Sequence, residues 1–109
     1  MKILIDHLSK FYGSNVRIVE NLMKMASIEE YPEPMKWSVQ MLYFDGENWT
    51  EICRIDNYLH GGLIGSHIHS YGKENVEWVS LNFNEAKKIV KEKGARIVKD
   101  IFHEELRFE

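Results

Sequence analysis

Between Trp37 and Ile55 the chain alternates with a period of two, broken once by Asp45-Gly46-Glu47-Asn48. Trp37, Val39, Met41 and Tyr43 share one side of an extended segment, with Ser38 and Gln40 on the other, because successive strand side chains point to opposite faces. Trp49, Glu51, Cys53 and Ile55 then alternate with Thr50, Ile52, Arg54 and Asp56. An Asp-Gly turn between two such runs predicts a β-hairpin. A hairpin with an apolar face must find further strands to pair with and a layer to cover it.

The segments that follow supply both. Ser66–Ser70 and Val76–Ser80 read as short strands, and residues 83–93 as a helix. Asn82 stands at the helix cap with Glu85 three residues on, a capping-box spacing. Phe83, Ala86, Ile89 and Val90 form the apolar stripe, and Gly94 reads as a left-handed stop. Beyond it, Arg96–Ile101 is expected to be a closing strand or a short terminal helix. Before the hairpin, Leu4, Leu8 and Phe11 recur at helical spacing up to Gly13. Residues 15–26 place Val16, Val19, Leu22, Met23 and Ala26 on one helical face. An amphipathic helix is predicted there, with a strand as the alternative that Val16, Ile18 and Val19 tolerate. Residues 29–34, with Pro32 and Pro34, form a connector. The expected fold class is therefore α+β: a single domain over 1–109, with an antiparallel sheet of four or five strands. One or two N-terminal helices and the helix at 83–93 pack on one face.

The net charge is −3 and Cys53 is the sole cysteine among 109 residues. The charge gives no global attraction to nucleic acid or anionic membrane. A single cysteine excludes an intrachain disulfide and a four-thiolate zinc site, and fits a cytoplasmic setting. No apolar run approaches the roughly 18 residues of a membrane span.

Chemistry-bearing residues concentrate in one stretch. Three of the five histidines, His60, His67 and His69, fall within ten residues, flanked by Arg54, Asp56, Asn57, Tyr71, Lys73 and Glu74 and interleaved with glycines 61, 62 and 65. On a strand, His67 and His69 project to one side, as do Arg54 and Asp56 on the hairpin. If these strands are neighbours, the four side chains line one patch. Metal-free RNA cleavage needs a proton acceptor, a proton donor and positive charge near phosphorus. His67 and His69 can serve as the acid/base pair, Arg54 or Lys73 as the charge, and Tyr71 as a donor or stacking group. Asp56 can orient an imidazole. A second reading needs a divalent transition metal, with His67, His69, Glu74 and His60 as ligands. A third is a non-catalytic module that uses its aromatic hairpin to bind a protein or to dimerise. Trp37, Trp49 and Trp78 read as core or interface aromatics.

Arg54-Ile-Asp56-Asn57, then His60-Gly61, then His67-x-His69 and Lys73-Glu74 resemble the TumE-like toxins of prokaryotic toxin–antitoxin pairs. The resemblance covers roughly residues 36–93. It departs from the family pattern at Ser66, where an acidic residue is usual, and the N-terminal third has no counterpart. It implies a growth-inhibiting protein with an antitoxin as cognate partner. The expectations are thus a cytoplasmic toxin-like protein acting on RNA without a cofactor, not bound to membrane, with a homodimer compatible with an exposed edge strand.

Overall fold

The computed structural model describes residues 1–108. Six antiparallel strands lie in chain order: β1 (Lys2–Tyr12), β2 (Val16–Lys24), β3 (Met35–Phe44), β4 (Trp49–Asp56), β5 (His67–Ser70) and β6 (Glu77–Trp78). One helix, α1 (Phe83–Phe102), follows the sheet and packs over β3 and β4. The class is α+β, as the sequence predicts. The strand number and the place of the helix differ from expectation.

The largest correction is N-terminal. Residues 2–24 form a strand hairpin with no helix, closed at Gly13 in the left-handed region (φ +69). A helix over 15–26 would put Ile18 at the edge of its apolar stripe, one turn before Leu22. In β2, Val16 and Ile18 face α1 and are fully buried, while Val19, Asn21 and Met23 take the opposite face. Pairing with β3 from Val16↔Tyr43 to Lys24↔Met35 settles the conformation. Such non-local pairing outweighs the weak local preference of a mixed segment. Leu4, Leu8 and Phe11 remain largely exposed on the edge strand β1, so their helical spacing serves no core.

The 37–43/49–55 hairpin forms as expected, with a bulge on β4 at Ile52. Ile52 and Cys53 are both buried on the helix side. The core lies between sheet and helix. Ile18, Val39, Met41 and Ile55 meet Ala86, Val90 and Val98 of α1. The capping box is present: the Glu85 amide donates to Asn82 Oδ1 (2.8 Å) and the Asn82 amide to Glu85 Oε1 (3.0 Å).

Gly94 does not stop the helix, which runs through Arg96–Ile101 and ends at His103 in the left-handed region (φ +58). A Cβ at Gly94 would lie 2.4 Å from Met41 Sδ. Its glycine allows α1 to approach β3, and the 96–101 segment is neither a strand nor a separate helix. No helix among the described residues is long and apolar enough to cross a membrane.

Because α1 covers one face, the other face of the sheet stays open. Register carries two polar rows across it. One runs Asn21↔Ser38↔Asp56↔His67↔Trp78 from β2 to β6, and its neighbour runs Val19↔Gln40↔Arg54↔His69.

Candidate functional site

The two rows form the floor of a cleft of about 430 Å³. Its centre is the Asp56 carboxylate, which is buried. Oδ1 accepts from the Tyr58 amide at 2.9 Å and lies 3.2 Å from His67 Nε2. Oδ2 lies 3.1 Å from Arg54 Nε and 3.7 Å from His69 Nε2. The Arg54 Nε–H does not point along that short vector and makes no hydrogen bond, so this pair is held by charge. Arg54 Nη1 also lies 3.4 Å from Glu51 Oε2, which accepts from Gln40 Nε2 at 2.6 Å. The guanidinium therefore sits between two carboxylates.

Cross-strand register brings Arg54 beside His69 and Asp56 beside His67, the arrangement that the i, i+2 spacing implies for neighbouring strands. The environments of the two imidazoles then diverge. His67 is 1% exposed, with Nδ1 3.0 Å from the Gly65 carbonyl and Nε2 against Asp56. Both its ring nitrogens face acceptors, and Trp78 lies 4.9 Å from its ring. That ring braces Asp56 and does not reach solvent. His69 keeps a fifth of its side chain in solvent. Burial first, and then the adjacent Arg54 charge, lower its pKa below the ordinary histidine value, with Asp56 opposing. A neutral imidazole at neutral pH can accept a proton or bind a metal.

His60 arrives from the loop after β4. Its amide and carbonyl pair with Leu63 (2.8 and 3.0 Å) around Gly61 (φ +57) and Gly62 (φ +83). Two consecutive residues with positive φ make a type I′ turn, which glycine adopts without strain. The His60 ring lies 5.1 Å from that of His67 and 5.5 Å from that of His69. One ligand atom from each of the three histidines lies within 4.8 Å of the others.

Other expected site residues lie elsewhere. Tyr71 and Lys73 line a separate cleft with Lys93, Arg96 and Asp100 of α1. The chain turns after Ser70, where the Lys73 amide donates to the Ser70 carbonyl and Gly72 has φ +79. The Tyr71 ring packs 5.8 Å from Phe102, on the helix side. The acid/base cleft therefore lacks both. Glu74 is exposed in the same turn and does not join the histidines, so the expected fourth metal ligand is missing. Asn57 is buried and structural. Its Oδ1 accepts from the Trp37 amide (2.8 Å), its Nδ2 donates to the Met35 carbonyl (2.7 Å), and its own carbonyl accepts from Tyr31. It fastens the 29–34 connector to the sheet. Cys53 is fully buried and its thiol is pushed up to about 12, so it is an inert packing group.

The cleft also contains residues that the sequence reading does not single out: Asp6, His7, Asn21 and Tyr58. Alternation on β3 marks Ser38 and Gln40 as facing away from the core, and that signal was available. Nothing local marks Asp6 and His7, which reach the cleft through a bulge in β1. No protein-family model, curated protein or solved structure matches the chain.

Proposed function

We propose that the open sheet face is an acid–base site for RNA phosphodiester cleavage, in a toxin-like protein restrained by a cognate antitoxin. The observation that carries the chemistry is the Arg54/His69 pair above a buried Asp56/His67 brace, in a cleft open to solvent. Its pieces fit one division of labour. His69, biased toward its neutral form, accepts the 2′-hydroxyl proton. Arg54 offsets the charge that develops at phosphorus. Asp56 and His67 fix the geometry of both. RNA as the substrate class comes from the residue types that its metal-free cleavage needs, and the antitoxin from the resemblance of Arg54-x-Asp56-Asn57…His60-Gly61…His67-x-His69 to TumE-like toxins.

One observation favours a second reading. His60, His67 and His69 need only modest closure to ligate one transition-metal ion at the usual Zn–N distance of about 2 Å, and the Gly65 carbonyl at His67 Nδ1 resembles an outer-shell support.

A single set of experiments separates the readings. Wild type and the His67→Ala/His69→Ala double variant are expressed at matched levels, and the purified proteins are assayed on RNA with and without EDTA. Wild type is expected to arrest growth and to cleave RNA in EDTA. The double variant is expected to do neither, with cleavage slower by roughly 10²-fold or more, as for loss of a general acid–base group. Equal growth, or no cleavage by wild type, removes the ribonuclease reading. Stoichiometric metal in wild type but not in His60→Ala, with EDTA-sensitive activity, transfers the site to the metal reading.

A further inference from the structure

Cleavage of a phosphodiester needs a group that protonates the departing oxygen as well as a base. His67 is too enclosed to reach that oxygen, so His69 lacks its expected partner. The bulge in β1 supplies another imidazole. His7 has φ +48 in the midst of an extended strand, a conformation that L side chains seldom adopt, and it lies inside the register shift between Ile5 and Leu8, with another shift before it between Ile3 and Ile5. Its backbone is tied to the site's own floor. The His7 amide donates to Asn21 Oδ1 at 2.8 Å, and Asn21 Nδ2 donates to Ser38 Oγ at 3.2 Å. Asn21 and Ser38 belong to the row that continues through Asp56 and His67. Strained, over-determined backbone of this kind concentrates at functional sites.

The ring is oriented as well. His7 Nδ1 lies 2.6 Å from Asp6 Oδ1. An ionised carboxylate only accepts, so a proton on Nδ1 is donated to Asp6, and in the imidazolium form Nε2 carries the second proton, which is free to be given to a substrate. Both residues line the 430 Å³ cleft that contains Arg54, Asp56 and His69, and the His7 side chain is 79% exposed.

We infer that His7, paired with Asp6 and held by the β1 bulge, is the general acid that protonates the leaving oxygen during RNA cleavage. The inference rests on the ribonuclease reading. In the balanced step, the 2′-oxygen attacks phosphorus as its proton passes to His69. The bond from phosphorus to the 5′-oxygen breaks, and that oxygen takes a proton from His7 Nε2. The products are a 2′,3′-cyclic phosphate and a 5′-hydroxyl. His60 is the competing donor: it is exposed on its loop, with its ring beside those of His67, His69 and Trp78.

The test compares two substrates in EDTA: the dinucleotide UpA, and uridine 3′-(p-nitrophenyl phosphate), whose leaving group departs without protonation. His7→Asn is the main variant, because asparagine tolerates positive φ, and His7→Gly is a second that relieves the strain. Both are expected to lose about 10²-fold or more on UpA and to keep wild-type rates on the activated ester, with added imidazole restoring UpA cleavage by His7→Gly. His69→Ala is expected to slow both substrates. Wild-type rates on UpA in the His7 variants, or equal loss on both substrates, overturn the His7 assignment while leaving the His69 reading in place. A leaving-group-dependent loss in His60→Asn but not in His7→Asn gives the role to His60. Failure of wild type to cleave either substrate overturns the ribonuclease reading and this inference with it.

Discussion

At Asp56 four groups converge on one buried carboxylate: the Tyr58 amide, His67, His69 and Arg54. Removing it strands a buried imidazole and a guanidinium nitrogen that has no other partner. Asp56→Ala is therefore expected to cost about 3 kcal/mol, the lower end for breaking a buried ion pair because Arg54 is partly solvated. Asp56→Asn keeps an acceptor for Tyr58 and is expected to cost roughly 1–2 kcal/mol. Urea unfolding of the two variants checks both figures. His69 carries the pH dependence. Burial and Arg54 hold its folded pKa below the ordinary 6.5. Between the folded value and 6.5 the unfolded chain binds more protons, so this contribution favours the unfolded state increasingly as pH falls through 6.5, and levels off below the folded pKa. The urea midpoint of wild type is expected to decline more steeply from pH 7 to 5 than that of His69→Gln. Parallel curves would exclude a lowered pKa at His69.

Two elements show where local pattern suffices and where it does not. The start of α1 is fully legible, because Asn82 and Glu85 satisfy each other's backbone groups within one turn. Its end is not, because Gly94 has two physical uses that look alike in sequence: a left-handed stop, or a place where a helix touches a strand. Only the position of Met41 shows which applies. Gly94→Ala gains about 1 kcal/mol in helix propensity but forces the fully buried Met41 to move, at about 1–3 kcal/mol for overpacking. A net loss of about 1 kcal/mol is expected. In the Met41→Ala background the same change is expected to become neutral or stabilising, a coupling that a double-mutant cycle in urea would measure. β2 shows the same ambiguity. Val16, Val19, Leu22 and Met23 fit a helical stripe, yet the segment is extended and paired with β3, where Val16 and Ile18 are buried on one face and Val19 takes the other.

The described residues form a meander in which each strand pairs with its successor, closed on one face by a single helix. Every buried residue of β2 to β5 on the helix side depends on that cover. Fully burying an aliphatic side chain contributes about 1.5–3 kcal/mol, so losing Ala86, Val90 and Val98 together with their sheet partners exceeds the usual total stability of about 5–15 kcal/mol. A chain ending before Asn82 is expected to show no near-ultraviolet circular dichroism and no cooperative urea transition. A folded truncation would mean that the sheet has another source of core.

Covalent geometry and local hydrogen bonding were enough to determine the β3–β4 hairpin, the strand at His67–Ser70, the capped start of α1, and the common direction of Arg54 with Asp56 and of His67 with His69. A period of two and a capping box are properties of adjacent residues. Contacts between distant segments decided the rest: that β2 is extended, that His67 is sealed while His69 keeps a fifth of its side chain in solvent, that Tyr71 and Lys73 turn to the helix side, and that His7 enters the cleft from β1. A strand's alternation states which residues share a face, but the layer packed on the far side decides which face is core and which is left open to a ligand.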